Sequence, residues 1–211
     1  MNYIENIYVC LMAPMLITSL CLRGRSRRVI VFLLGGMTVC LLSSYISTFI
    51  AAVQGADTLS ASLEIAPLVE EIMKFLPVLF YLIVFEPDKS SLSDSVLVIS
   101  LGFASFENTC YLTQNGAAHI VHLLIRGFGT GAMHVVCGAL VAFGLVYLWD
   151  RIWIRITGTV GLIAMAITYH GIYNILVSQS GAPALIGYFI PLITLVLLAV
   201  LGKDLVKKTL R

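Results

Sequence analysis

The chain has 211 residues, 59% of them hydrophobic and only 11% charged, with a net charge of +2. With a mean hydropathy of +0.98 this composition excludes an ordinary soluble domain. The net charge itself says little, and no nucleic-acid partner is expected; the expected solvent is a lipid bilayer.

Apolar runs of about 20 residues, enough to cross about 30 Å of hydrocarbon, read as transmembrane helices. Taken in chain order, Asn6 to Leu22 is the first. It has no basic segment ahead of it and no small-residue cleavage site after it, so it reads as a span and not a removed signal. The basic cluster RGRSRR (Arg23 to Arg28) precedes a second span, Val29 to Val53. The loop QGADTLS leads to a third, Ala61 to Phe85, which ends at the polar linker EPDKSSLSD. Ser95 to Leu112 is the fourth, stopping at a QNGAA turn.

Ala117 to Gly127 is too short to span and reads as an interfacial helix or a preamble to the fifth span, Thr130 to Trp149. His119 and His122, in that segment, are expected at the interface. The sixth and seventh spans are Ile156 to Ser178 and Pro183 to Gly202, before a basic tail. The five cysteines form no CxxC pair and read as small buried hydrophobes. The expected fold is therefore all-α: one polytopic helix bundle over residues 1–211, with about seven spans and a core at about 61–178.

Basic residues orient the set. With the N-terminus outside and the C-terminus inside, every Lys and Arg except Lys74 and Arg126 falls in a cytoplasmic segment.

The third span carries Glu70, Glu71 and Lys74, although a charge at membrane depth costs roughly 2.5–3.5 kcal/mol or more. Spacings of i+3 and i+4 put all three on one helix face, where they can pair. One carboxylate is left in surplus. At 1.5 Å per residue, Glu70 lies about 13 Å from the outer end of its span, Glu107 about 7 Å, His134 about 6 Å and His170 about 12 Å. Asn174 is one turn nearer the surface than His170. Helices running in alternating directions thus place their unusual polar groups in the outer half, which points to one buried site.

Each piece also has a structural reading. Glu70, Glu71 and Lys74 suit a helix-joining ion pair, and His170 with Asn174 an interhelical hydrogen-bond pair. Gly131 and Gly138, flanking His134, suit close helix packing, and Arg126 suits snorkelling to the interface. The GFGTG string at Gly127 to Gly131 follows no strand and is no dinucleotide loop.

Taken together, buried carboxylates, imidazoles, an amide and a cation suit hydrolysis by activated water. A carboxylate held out of water becomes a usable general base, and histidine and asparagine N–H groups can stabilise an oxyanion. No serine or cysteine lies in a triad context. The alternative is a zinc-bound water, with Glu70, Glu107, His134 and His170 as ligands, although HExxH is absent. Buried Glu and His also make proton relays, so a proton-coupled transporter is the rival from another class; no inverted repeat supports it. A noncatalytic immunity protein is a further one.

Four motifs in order carry a family resemblance: Glu70-Glu71-x-x-Lys74, Phe103-x-x-x-Glu107-Asn108, Arg126 with His134, and His170-x-x-x-Asn174. They resemble the motifs of the PrsW family, bacterial multi-pass proteases related to the CAAX-processing endopeptidases and bacteriocin-immunity (CPBP) proteins. The resemblance covers roughly Glu64 to Val177. It implies an intramembrane protease of the bacterial cell membrane that makes the first, outer-side cut in a single-pass anti-sigma factor under stress. By it, Glu70 activates water, Glu71 and Lys74 support and orient it, and His170 and Asn174 form the oxyanion hole. Glu107 stands where the CAAX relatives have a histidine, and His134 is placed to substitute for it. Phe103, Asn108 and Arg126 are supporting residues. The preferred reading needs no cofactor; Zn2+ is the alternative.

Overall fold

The computed structural model describes residues 3–116 and 120–209. The chain is helical almost throughout: α1 (Ile4–Cys21), α2 (Gly24–Gln54), α3 (Thr58–Ser60), a π-helical turn (Ala61–Ile65), α4 (Ala66–Phe85), α5 (Lys89–Asn115), α6 (Ile120–Leu148), α7 (Arg155–Val177) and α8 (Ala182–Thr209). Among the described residues there is no strand. Among the described residues six helices are long and apolar enough to cross a membrane: α1, α2, α5, α6, α7 and α8. The seventh long helix is α4, whose 20 residues reach about 30 Å. It is set apart by Glu70, Glu71 and Lys74.

Local chemistry explains the breaks. Gly55 ends α2 in the left-handed conformation at φ 65°, the usual helix stop. The Asp57 carboxylate accepts from the Ser60 backbone N–H, and Asp88 accepts from the N–H and hydroxyl of Ser91, so each caps a helix start. The same bonds hold both carboxyls below their ordinary range.

One sequence expectation moves, and one open alternative is decided in favour of a preamble to the fifth span. The linker EPDKSSLSD shrinks to Glu86–Asp88, because its serines are helical. Ser91 and Ser95 are buried, and the Ser95 hydroxyl bonds back to the Ser91 carbonyl. The segment before the fifth span is no separate helix: from Ile120 it runs without a break into α6. Ala117, Ala118 and His119 lie outside the described residues, while His122 is hydrogen-bonded with the Tyr111 hydroxyl.

The bundle is built around α5 and α6. α2 packs on α5, α7 and α8 pack on α6, and α4 closes the gap between α2, α5 and α7. The main core joins Val78 and Leu82 of α4, Val96 and Ile99 of α5, and Met133, Cys137 and Leu145 of α6. The ion pairs Arg25–Asp94 and Lys89–Asp150 gather the starts of α2 and α5 and the α6–α7 loop at one end. The α2 C-terminus, α3 and the C-terminal end of α5 meet at the other.

The α2–α5 crossing depends on two glycines. A Cβ on Gly36 would lie 2.1 Å from the Ile99 carbonyl oxygen, and one on Gly102 would lie 2.2 Å from that of Leu33. Both obstacles are backbone, so only separation of the helices relieves them. Gly36→Ala is expected to cost about 1–3 kcal/mol of stability through overpacking. Gly35→Ala, whose methyl meets nothing within 4 Å, serves as the neutral control. Equal melting temperatures for the two variants in detergent would refute this account.

Candidate functional site

The close α2–α5 crossing seats Phe103, which is fully buried. Its ring lies 4.3 Å from the Lys74 ammonium and 4.9 Å from the His134 ring. On the neighbouring α4, Lys74 and Glu71 face inward, both 5% exposed, while Glu70 faces the α2 side.

Lys74 Nζ donates to Glu71 Oε1 at 2.6 Å and meets His134 Nδ1 at 2.8 Å. An ammonium has only donors, so His134 Nδ1 accepts and its proton sits on Nε2. That Nε2 donates to Glu107 Oε2. The other Glu107 oxygen takes Arg126 Nη2 at 3.2 Å, and Arg126 Nη1 donates to Asn108 Oδ1 at 2.6 Å. At the far end, His170 Nδ1 donates to the same Glu71 oxygen at 2.8 Å.

One hydrogen-bonded chain therefore runs Arg126–Glu107–His134–Lys74–Glu71–His170 across α4, α5, α6 and α7. Within it the charges of Arg126 and Glu107, and of Lys74 and Glu71, cancel in pairs. Such pairing, with nearly every polar atom bonded, is what makes charge tolerable in a low-dielectric interior.

Glu70 stands outside this chain and is the surplus carboxylate. Its Oε2 is buried without a hydrogen-bond partner and faces His170 Nε2 at 3.9 Å. Because Nδ1 of His170 is committed to Glu71, Nε2 is the nitrogen turned toward Glu70. The His134 and His170 rings meet edge to face at 5.1 Å.

Ligand atoms of Glu70, His134 and His170 all lie within 4.8 Å of one another. One carboxylate and two imidazoles from three helices are the donor set of a zinc-type ion, but both His134 nitrogens are already bonded, so its ligation would displace Lys74 or Glu107. Glu71 on the far nitrogen of His170 fits the carboxylate that commonly orients a metal-bound imidazole. Glu107, the fourth ligand of the metal alternative, is turned instead to His134 and Arg126.

Asn174 has a different partner from that expected of an oxyanion donor. Its amide donates to the Ser62 carbonyl at 2.9 Å, tying α7 to the π-helical turn. Arg126 is more than an interfacial snorkel: its side chain is 14% exposed and bonds two site residues. The glycines beside His134 differ. Gly138 lets α6 approach Ser100 closely, whereas a Cβ on Gly131 would meet nothing.

Three residues escaped the sequence reading. Tyr111 lies under the Arg126 guanidinium, 3.6 Å from its centre. Thr130 and Tyr173 share a 2.7 Å hydrogen bond beside the cluster. Tyr111 falls four residues after Glu107, on the same face of α5, and that spacing is a usable signal. Thr130, four residues before His134, and Tyr173, three after His170, carry the same spacing signal on α6 and α7.

A family model described as PrsW family intramembrane metalloprotease matches residues 25–201, from the start of α2 into α8. No curated protein and no solved structure matches the chain.

Proposed function

The chain belongs to the PrsW family, and from that premise we propose that it hydrolyses peptide bonds of single-pass membrane proteins with water activated by Glu70. The observation that carries this reading is the buried, unpartnered Glu70 Oε2 facing His170 Nε2. A general base must keep a free lone pair within reach of a water, and among the site carboxylates only Glu70 has a buried oxygen without a partner. Glu71, Lys74, Glu107 and Arg126 hold the two imidazoles in place. The simplest substrate is an anti-sigma factor of a bacterial cell membrane, cut near its outer boundary. That orientation rests on the segregation of Lys and Arg.

The Glu70, His134 and His170 cluster favours a second reading, in which these three hold a zinc-type ion. Such an ion, when bound, supplies Lewis-acid polarisation of the scissile carbonyl and of water. In this reading Glu71 would fix the His170 ring and Glu107 the His134 ring, and His134 Nδ1 would exchange its bond to Lys74 for the ion. Chelator-washed enzyme, assayed for metal and for cleavage, separates the readings. Full activity with no stoichiometric metal is the expected result. Loss of activity restored by zinc would establish the second reading.

We assign Asn174 to holding the π-helical turn. Asn174→Ala is expected to lose about 0.6 kcal/mol, the average for an interhelical hydrogen bond in a membrane bundle. Cleavage per folded molecule should stay within a few-fold of wild type. A fall of about 10²–10³ would instead return Asn174 to the oxyanion hole.

A further inference from the structure

Glu70 and Glu107 line the inner wall of a cavity of about 520 Å³ at the α3 end of the bundle, bounded by α2, the π-helical turn and α5. Small residues make up part of its lining, with Ser44, Ser47 and Ala51 on α2 and Ala61, Ser62 and Ala66 across the π-helical turn, beside larger ones such as Leu41, Tyr111 and Gln114. We propose that this cavity is a main-chain-reading groove that seats a locally unwound stretch of the substrate's spanning segment, with the Ser47 hydroxyl bonding its backbone. The proposal rests on the protease reading above and names the substrate property that reading requires.

The physical argument starts from the substrate. A helix in lipid pairs all its amides internally, so its carbonyls are blocked from attack, and unwinding exposes amides that must find partners. A cavity that touches the site carboxylates and carries a free hydroxyl supplies such a partner. Ser47 Oγ is buried without a hydrogen-bond partner, whereas its neighbour Thr48 bonds back to the Ser44 carbonyl. Along α2, the groove wall from Cys40 to Ala51 is about 16 Å long at 1.5 Å per residue. That length takes about five residues of extended chain at about 3.3 Å each. A hydroxyl can bond an exposed amide whatever side chain that residue carries, so selection falls on how readily the segment unwinds.

The chain contains its own probe. Cys110 lines the cavity and is partly exposed, while Cys10 and Cys21 are exposed on α1 outside it. The experiment measures maleimide labelling of Cys110 and Cys21 in purified protein with two synthetic spanning peptides. Both have about 22 residues. One is uninterrupted Leu and Ala, and the other carries Gly-Pro near one end. The Gly-Pro peptide is expected to slow Cys110 labelling at least fivefold without changing Cys21, and the uninterrupted peptide to leave both unchanged. Ser47→Ala should weaken that protection about three- to tenfold. Ser43→Ala, whose buried hydroxyl is likewise unpartnered but lies outside the cavity lining, should not.

Equal protection by both peptides, or by neither, overturns the groove, and unchanged protection in Ser47→Ala overturns the hydroxyl assignment. Cleavage followed in the same samples keeps the two proposals apart. Protection without cleavage leaves the groove standing and the protease reading fallen, and cleavage without protection does the reverse.

Discussion

Glu70→Gln is expected to leave a folded, correctly inserted protein whose cleavage of a single-pass substrate is lower by about 10²–10⁴, the usual contribution of a general base. Gln is nearly isosteric, and Glu70 is the site carboxylate whose free oxygen bonds nothing else. The Arg126–Glu107–His134–Lys74–Glu71–His170 chain does not pass through it, so its loss should barely move the melting temperature. The same change in Glu107 should behave differently, because its two oxygens hold His134 and Arg126. Stability should then fall together with activity. Near-normal cleavage by folded Glu70→Gln protein would remove the base from the proposal.

The contrast between Glu70 and its neighbours shows what a sequence carries and where it stops. Charge inside an apolar run is legible because its cost in lipid is large. Glu70, Glu71, Lys74, Glu107, His134 and His170 are all visible for that reason. Helix spacing also reveals that one carboxylate is in surplus. Which one is surplus is not legible, because i+3 and i+4 spacing both lead to Lys74, and only packing turns Glu71 inward and Glu70 toward the cavity. The partner of Asn174 is equally hidden. Ser62 sits 112 positions earlier, on a π-helical turn that no periodicity announces. Breaks are misplaced where composition and context disagree, as with Ser91, which counts as a loop residue singly yet is buried in α5. The glycine crossing of α2 and α5 depends on two backbones meeting, and neither side of that contact has a signature of its own.

Breaking the buried Lys74–Glu71 pair tests whether the scaffold also serves the chemistry. Both side chains are about 5% exposed, and their 2.6 Å contact is the centre of the hydrogen-bonded chain. Lys74→Met should cost about 3–5 kcal/mol, because it leaves the Glu71 charge buried without its cation. The double variant Glu71→Gln with Lys74→Met removes both charges and should recover most of that loss. The amide carbonyl introduced beside His170 still accepts from its Nδ1, but the donor to His134 Nδ1 is gone. The imidazole of His134 is then free to change tautomer and turn away from Glu107. Outer residues that orient a metal-bound imidazole typically contribute about 10–100-fold to activity, and the same order is expected of an imidazole held beside an activated water. The double variant should therefore fold nearly as well as wild type and cleave about 10–100-fold more slowly per folded molecule, with Glu70 untouched. If it cleaves at the wild-type rate, the ion pair is scaffold alone and the orientation of His134 does not matter. If it stays as unstable as Lys74→Met, the loss comes from packing around Phe103 and not from an unpaired charge.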